Sequence, residues 1–233
     1  MMNNKNEEIS DDIIKSPHKK RKNLSPRKKD RLEEGMKIWT SFYRLNMHRF
    51  AIDYLGLNLY PFQIILLYMM NIMYSVCLVC ARGMSKSYMT AIFLCCKAIL
   101  YPNSLIVVSC STKEQSRNLI REKIAKELCS QSKMLKREIS KIVTGTNETV
   151  VYFKNGSSIN AINASQNVRG LRAHVLIVDE YRMIDGFETL NSVLKPFLNC
   201  VRIPKFKGRE DGKYANYPSE ENQEVYLSSA LIY

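Results

Sequence analysis

Two short stretches carry side chains that could handle a phosphorylated ligand. In the first, Lys86 and Ser87 follow the apolar run SVCLVC (75–80) and the loop ARGMS, and the largely apolar YMTAIFLCCKAIL comes after them. Strand, loop, Lys-Ser and helix is the order of a phosphate-binding loop. Backbone N–H groups at the start of a helix face an anion, and the helix dipole adds to their pull. In that frame Gly83, Met84 and Ser85 wrap the phosphates, Lys86 reaches the β- and γ-phosphates, and the Ser87 hydroxyl coordinates Mg²⁺. The loop departs from G-x-x-x-x-G-K-[ST]. Cys80 stands where the first glycine belongs and Ser85 where the second does, leaving Gly83 as the loop's one glycine. A non-glycine at 85 puts the backbone angle there in question.

The second stretch is AHVLIVDEYRMID (173–185). Val175-Leu176-Ile177-Val178 is a continuous apolar run, as expected of a strand covered on both faces. Asp179 and Glu180 stand at its end, where open α/β sheets bind ligands. Asp179 suits the Mg²⁺ shell, and Glu180 suits a base that orients and deprotonates an attacking water. Taken singly, such a pair also fits a solvated acidic turn. Following the Lys-Ser loop in the same chain, it completes the kit for ATP·Mg²⁺.

The remaining segments can supply one sheet to position these groups. Residues 104–110 (SLIVVSC) predict a strand, and Thr112 to about Ser130 a helix. TVVYF-KNG-SSINAI predicts a hairpin around Asn155-Gly156. Gly186–Leu198 predicts a helix, 204–224 a polar loop, and EVYLSSALIY a returning strand. Ahead of these, helical spacing begins near Asp30, and Pro61 opens a further helix. The run FQIILLYMMNIMYSVCLVCA (62–81) has the length of a bilayer span. Asn71 and Ser75 divide it into a helix (62–73) and a strand (76–80), and a phosphate-type loop follows, so a membrane span is the weaker reading. The fold class is α/β: a P-loop NTPase of RecA-like (ASCE) type, with a mainly parallel central sheet flanked by helices and an N-terminal helical lead-in. The domain division is a disordered basic leader over 1–29 and the ATPase-like domain over 30–233.

Composition narrows the partners. The 233 residues are 45% hydrophobic and 24% charged, with a formal charge of +13. That excludes collagen-like and wholly disordered chains and favours a polyanionic partner. HKKRKNLSPRKK (18–29) reads as a nucleic-acid arm, a localisation signal, or a solvated leader. Residues 113–141 carry nine Lys/Arg against four Asp/Glu, a DNA-facing stripe or a solvated helix. The seven cysteines sit mostly in apolar runs, as reduced thiols of a cytosolic protein do, and no secretory signal is visible. Cys77 and Cys80 would face opposite ways on one strand, which does not suit a metal.

The ordered set of motifs resembles the large terminase subunits of tailed bacteriophages, from about Asp30 onward. Tyr60-Pro61-Phe62-Gln63 is similar to that family's Gln motif, ARGMSKS to its Walker A loop with an early Arg, LIVDEYRMID to its Walker B strand, and YLSSA (226–230) to its motif III. The resemblance implies that Gln63 contacts adenine and that Arg82 joins Lys86 and Ser87 at the phosphates, Arg82 also being a candidate arginine finger in cis. It implies that Ser228 and Ser229 sense the γ-phosphate. NVRGLRA resembles the loop that carries a trans-acting Arg in some terminases; Arg169 is the candidate and Arg172 the rival, and either could instead be a surface or DNA-contacting charge. Also implied are ATP and Mg²⁺ as ligands, double-stranded DNA, the portal protein and the small terminase subunit as partners, a homo-oligomeric ring on the procapsid, and the host cytoplasm as location. The family's C-terminal RNase H-like nuclease has no counterpart here, as in a fragment or a split gene product. A DEAD-like helicase fragment and a non-enzymatic basic DNA- or membrane-associated protein are the rival readings.

Overall fold

The computed structural model describes residues 26–110, 112–145, 148–163, 171–183, 189–200 and 221–230. The chain divides into two units, residues 1–38 and 39–233. What is described of the first is the opening of helix α1 (Pro26–Leu45), exposed from Arg27 to Ile38. The helix starts at Pro26, ahead of the Asp30 boundary, because a proline in the first turn gives up an N–H that has no helical partner anyway. The rest of the basic leader, up to residue 25, lies outside the described residues.

In the second unit, Trp39 and Tyr43 meet Phe50 of α2 (Met47–Asp53) edge to face. Helix α3 (Pro61–Ile72) then gives way to strand β1 (Ser75–Cys80). The apolar run at 62–81 is therefore split near Met73, where the backbone turns extended. No described helix is long and apolar enough to cross a membrane.

Helix α4 (Lys86–Leu100) and strand β2 (Leu105–Cys110) follow. The next helical stretch opens as α5 (Lys113–Asn118), widens into a π-helix over Leu119–Leu128, and closes as α6 (Cys129–Gln131). After α7 (Lys133–Glu138) come β3 (Ile139–Thr144), β4 (Thr149–Phe153) and β5 (Ser158–Asn163). The β4–β5 hairpin turns at Gly156, whose φ of 87° favours glycine, and the Asn155 amide donates to the Ala98 and Ile99 carbonyls near the end of α4. Strands β6 (Val175–Asp179) and β7 (Gln223–Ser229) complete the sheet. Between them the described chain forms a 3₁₀ turn (Tyr181–Met183), a π turn (Thr189–Leu194) and a second 3₁₀ turn (Lys195–Leu198). The predicted helix over 186–198 is thus two short turns from Thr189 on; residues 186–188, and 204–220 of the predicted loop, lie outside the described residues.

The seven strands lie in the order β1-β7-β6-β2-β5-β4-β3. The first five are parallel, and β4 and β3 add an antiparallel edge. Strand period sends alternate side chains to two cores. Ile106, Val108, Val175 and Ile177 join the larger core with α2, α3, α4 and the π segment, while Val107, Leu176 and Val178 join the smaller one with Val193, Leu194 and Phe197. This two-sided cover explains why β6 is an unbroken apolar run that is buried throughout. It also brings the C-terminal ends of β1, β7 and β6 side by side, in register: Cys80 pairs with Ser229, and Asp179 with Leu227.

Candidate functional site

The site is assembled where those three strands end. Cys80 is still in the ladder and accepts from the Ala230 N–H at 2.8 Å, so the first "glycine" position is ordinary strand backbone and needs no glycine. Gly83 has a φ of 85°; a Cβ there would meet nothing within 4 Å, so the angle rather than space calls for glycine. Ser85 takes the left-handed conformation (φ 53°, ψ 25°) as the N-cap of α4 and makes no side-chain capping bond. A non-glycine residue at that angle costs about 1–2 kcal/mol. The first intrahelical bond runs from Met89 N to Ser85 O, so the N–H groups of the first turn face outward, as an anion requires.

On the facing strand end, Glu180 is also left-handed (φ 51°). Among the described residues the only other non-glycine with positive φ is Asn103. Backbone strain of this kind persists where surrounding contacts enforce it, and two of its three instances lie here. The bend lets the Glu180 N–H donate to Asp179 Oδ1 at 3.0 Å and turns the Glu180 carboxylate toward α4.

Lys86 joins the pieces. Its Nζ lies 2.5 Å from Glu180 Oε1, 3.1 Å from Asp179 Oδ1 and 3.2 Å from Ser229 Oγ. Ser229 closes the ring: its hydroxyl donates to Glu180 Oε1 at 2.6 Å and its N–H to Glu180 Oε2 at 3.1 Å. Burial opposes the charge on Glu180, but the bonds from Lys86 and Ser229 outweigh it and hold the carboxyl below the ordinary Glu range. Burial likewise pulls the Lys86 ammonium down, and the two carboxylates more than reverse this. Both groups are therefore charged at neutral pH.

A cavity of about 830 Å³ opens beside this cluster. Arg82, Gly83, Met84, Ser85, Lys86, Ser87, Glu180 and Ser229 border it, and Gln63 borders it too. Gln63 is buried, with Oε1 accepting from the Tyr60 N–H at 3.0 Å, which leaves its amide nitrogen to donate to a ligand. Arg82 is exposed and has no ion-pair partner among the described residues. Asp179 is buried behind Lys86. Ser228 is buried on the opposite side of β7 from Ser229 and does not border the cavity, because successive strand residues alternate faces. Arg172 is exposed at the foot of β6, at the far end from the cluster. Arg169 lies outside the described residues.

Magnesium fits this donor set. Among the described residues no group of three or more His, Cys, Asp or Glu forms a cage. One carboxylate, Asp179, and one hydroxyl, Ser87, at the head of α4 is the sparse set Mg²⁺ uses when substrate phosphates and water fill the remaining positions. Beyond Tyr60 of the Gln motif, sequence motifs did not point to the cavity's other walls: Gly56–Asn58 on one side, and Tyr88, Lys123, Glu127 and Gln131 on another. The four-residue spacing of Lys123, Glu127 and Gln131 was the available signal, and it merged with the general basic character of that helix.

A mainly parallel sheet whose strand ends hold a Lys-Ser loop against an Asp-Glu pair defines a P-loop NTPase fold. Residues 77–227 match the family model described as terminase large subunit, T4likevirus-type, N-terminal, and the chain belongs to that family. Solved structures agree on the fold. The large terminase ATPase domain of Thermus phage P74-26 is 15% identical, with a TM-score of 0.51 over 76% of this chain and 67% of that one. The large terminase of bacteriophage HK97 is 17% identical, with a TM-score of 0.52 over 74% of this chain and 33% of that one. The chain thus spans about a third of the HK97 protein. No curated protein matches it.

Proposed function

We propose that this chain is the ATPase domain of a phage DNA-packaging motor, binding ATP·Mg²⁺ at the head of α4 and coupling hydrolysis to movement of double-stranded DNA into a procapsid. The observation that carries this is the convergence of Lys86, Asp179, Glu180 and Ser229 on one point at the mouth of the cavity. Family membership supports the motor role.

In this reading the first-turn N–H groups and Lys86 take the phosphates, and Gln63 takes the base. Ser87 and Asp179 would hold Mg²⁺, which would supply charge neutralisation to the triphosphate. Lys86 cannot serve the phosphates while its ammonium lies between the two carboxylates, so nucleotide entry draws it away from Glu180. Glu180 then loses the charge that depresses its pKa and becomes the stronger base. It accepts a proton from the water that attacks the γ-phosphorus, as the bond to the ADP oxygen breaks. Ser229, bonded to Glu180 by both hydroxyl and N–H, feels that change and passes it along β7. Arg82, which borders the cavity, is the candidate in cis for stabilising the spreading negative charge, and Arg169 is the candidate for the same role from a neighbouring subunit of a ring. Portal and small-subunit contacts, and the host cytoplasm as the place of action, belong to the same proposal.

The test is steady-state ATPase activity with Glu180→Gln and Lys86→Ala. Glu180→Gln is expected to keep nucleotide affinity and lose at least about 100-fold in turnover. Lys86→Ala is expected to lose affinity as well. Unchanged turnover in Glu180→Gln would remove the assignment.

A further inference from the structure

The cavity wall built by the π segment and α6 carries Lys123, Glu127 and Gln131, which the phosphate chemistry does not use. Tyr88 follows Ser87 directly on the first turn of α4, and its hydroxyl donates to Gln131 Oε1 at 2.6 Å. One turn back along the same helical stretch, Lys123 Nζ donates to Glu127 Oε2 at 2.7 Å. All four side chains border the cavity that holds Lys86 and Gln63. Glu127 is partly exposed there, with a side-chain exposure of 36%, and its Oε1 has no hydrogen-bond partner among the described residues. A ten-residue π-helix is itself unusual: such winding is mostly confined to single turns and clusters at functional sites.

The unbonded Oε1 of Glu127 offers a phosphate oxygen no proton and repels it, the Lys123 ammonium at Oε2 offsetting this only in part. Nor is it the water-activating base, since Glu180 stands at the strand ends beside Lys86. Its unbonded oxygen suits an uncharged donor of the ligand. Along the nucleotide, phosphates lie at Ser85–Ser87 and the base at Gln63, and Tyr88 sits one residue beyond the phosphate site. The helix bonded to Tyr88 lines the same cavity as both ends, and the part of the ligand left for it is the sugar. We infer that Glu127, braced by Lys123, accepts a hydrogen bond from the ribose diol and makes the site selective for ribonucleotides over deoxyribonucleotides. This rests on the nucleotide reading of the cavity. The chemistry is the one by which acidic residues hold ribose hydroxyls in dinucleotide sites. For a protein handling DNA, it separates the fuel from the deoxynucleotide pool.

The experiment is equilibrium binding of ATP, 2′-deoxy-ATP, 3′-deoxy-ATP and ITP to the full chain and to Glu127→Ala, Glu127→Gln and Lys86→Ala. In the wild type, loss of one of the two hydroxyls is expected to weaken binding about tenfold, the size of a hydrogen bond to a charged acceptor. Glu127→Ala is expected to bring that ratio close to one, and Glu127→Gln, which keeps an acceptor oxygen, to keep part of it. ITP, which lacks the exocyclic amine, is expected to follow ATP equally in wild type and Glu127→Ala. Equal affinity of the wild type for ATP and both deoxy analogues would overturn the inference. So would a Glu127→Ala protein that still discriminates, or one whose altered preference is between ATP and ITP. Should Glu127→Ala fail to fold, the wild-type series and Glu127→Gln decide alone. Failure of the underlying reading looks different: no nucleotide binds the wild type, or Lys86→Ala binds as well as it does.

Discussion

Ser85 is the residue at which the sequence posed a question and the backbone supplies the answer. The position demands a left-handed angle and a serine meets it, whereas the Cys80 position, equally irregular against the motif, demands nothing. No reading of residue types could separate the two, because the distinction lies in where the strand ladder stops. Ser85→Gly is expected to relieve the strain, offset in part by the greater freedom of glycine in the unfolded chain, for a net gain of about 0.5–1 kcal/mol. Urea denaturation checks this; a loss of stability would mean that Ser85 contributes bonds outweighing its angle. The charges around it have a pH signature. Glu180 lies below its ordinary value of 4.5, so its contribution is present above that value and is lost as pH falls through the folded one. Lys86 lies above its ordinary value of 10.5, so its contribution is present below that and is lost as pH rises through the folded one. Wild type and Glu180→Gln should therefore give parallel melting-temperature curves between about pH 6 and 9, with the wild type falling more steeply below about 4.5. Equal acid slopes would show that Lys86 does not hold the Glu180 carboxyl in solution.

Among the elements, those that read clearly from sequence are the ones one force dominates. β2 and β6 are short apolar runs in the part of the sheet covered on both faces, and α4 is apolar nearly all round because it is buried between sheet and helices; β1 is as apolar, but as an edge strand it leaves Cys77 and Val79 exposed. The β4–β5 hairpin follows from Asn155-Gly156. β3 was missed: it is an edge strand of mixed exposure, SKIVT included, with no apolar run to mark it. The π winding of Leu119–Leu128 was beyond reach for another reason. Its apolar residues Leu119, Ile120, Ile124 and Leu128 satisfy an ordinary helical pattern as well. One link between elements came from a residue without any motif. Gln223, buried at the start of β7, donates its amide to the Met70 and Met73 carbonyls at the end of α3. Carbonyls in the last turn of a helix lack helical partners, so this amide fills a need that sequence alone does not locate. It ties the helix that starts beside Gln63 to the strand that ends at Ser229. Gln223→Leu, close in size, is expected to leave those carbonyls unpaired and cost about 1–3 kcal/mol. The chemical-denaturation midpoint measures it, and a change under about 0.5 kcal/mol would show that water replaces the amide without loss.

For the molecule as a whole, charge is the property a polyanionic partner would meet, and its location decides what the leader does. Residues 1–25 hold six Lys/Arg against four Asp/Glu, a net of only +2, so +11 of the total +13 belongs to the chain from Pro26 on. The conspicuous KKRK run is answered by the acidic start before it. If DNA is met by the body of the protein, removing residues 1–25 should leave duplex affinity at a given salt within about threefold, since a net change of two charges is a minor part of the field. Affinity should fall with salt in both proteins, with nearly equal slopes of log affinity against log salt, because that slope counts phosphates neutralised rather than charges present. Fluorescence anisotropy with a labelled duplex across 50–200 mM salt would measure both quantities, a range over which several phosphate contacts change affinity by orders of magnitude. A truncated protein that loses affinity more than tenfold, with a clearly shallower slope, would place the DNA contacts in the basic leader. The basic stripe of 113–141 would then be a solvated surface, with Lys123 and its neighbours left to the nucleotide alone.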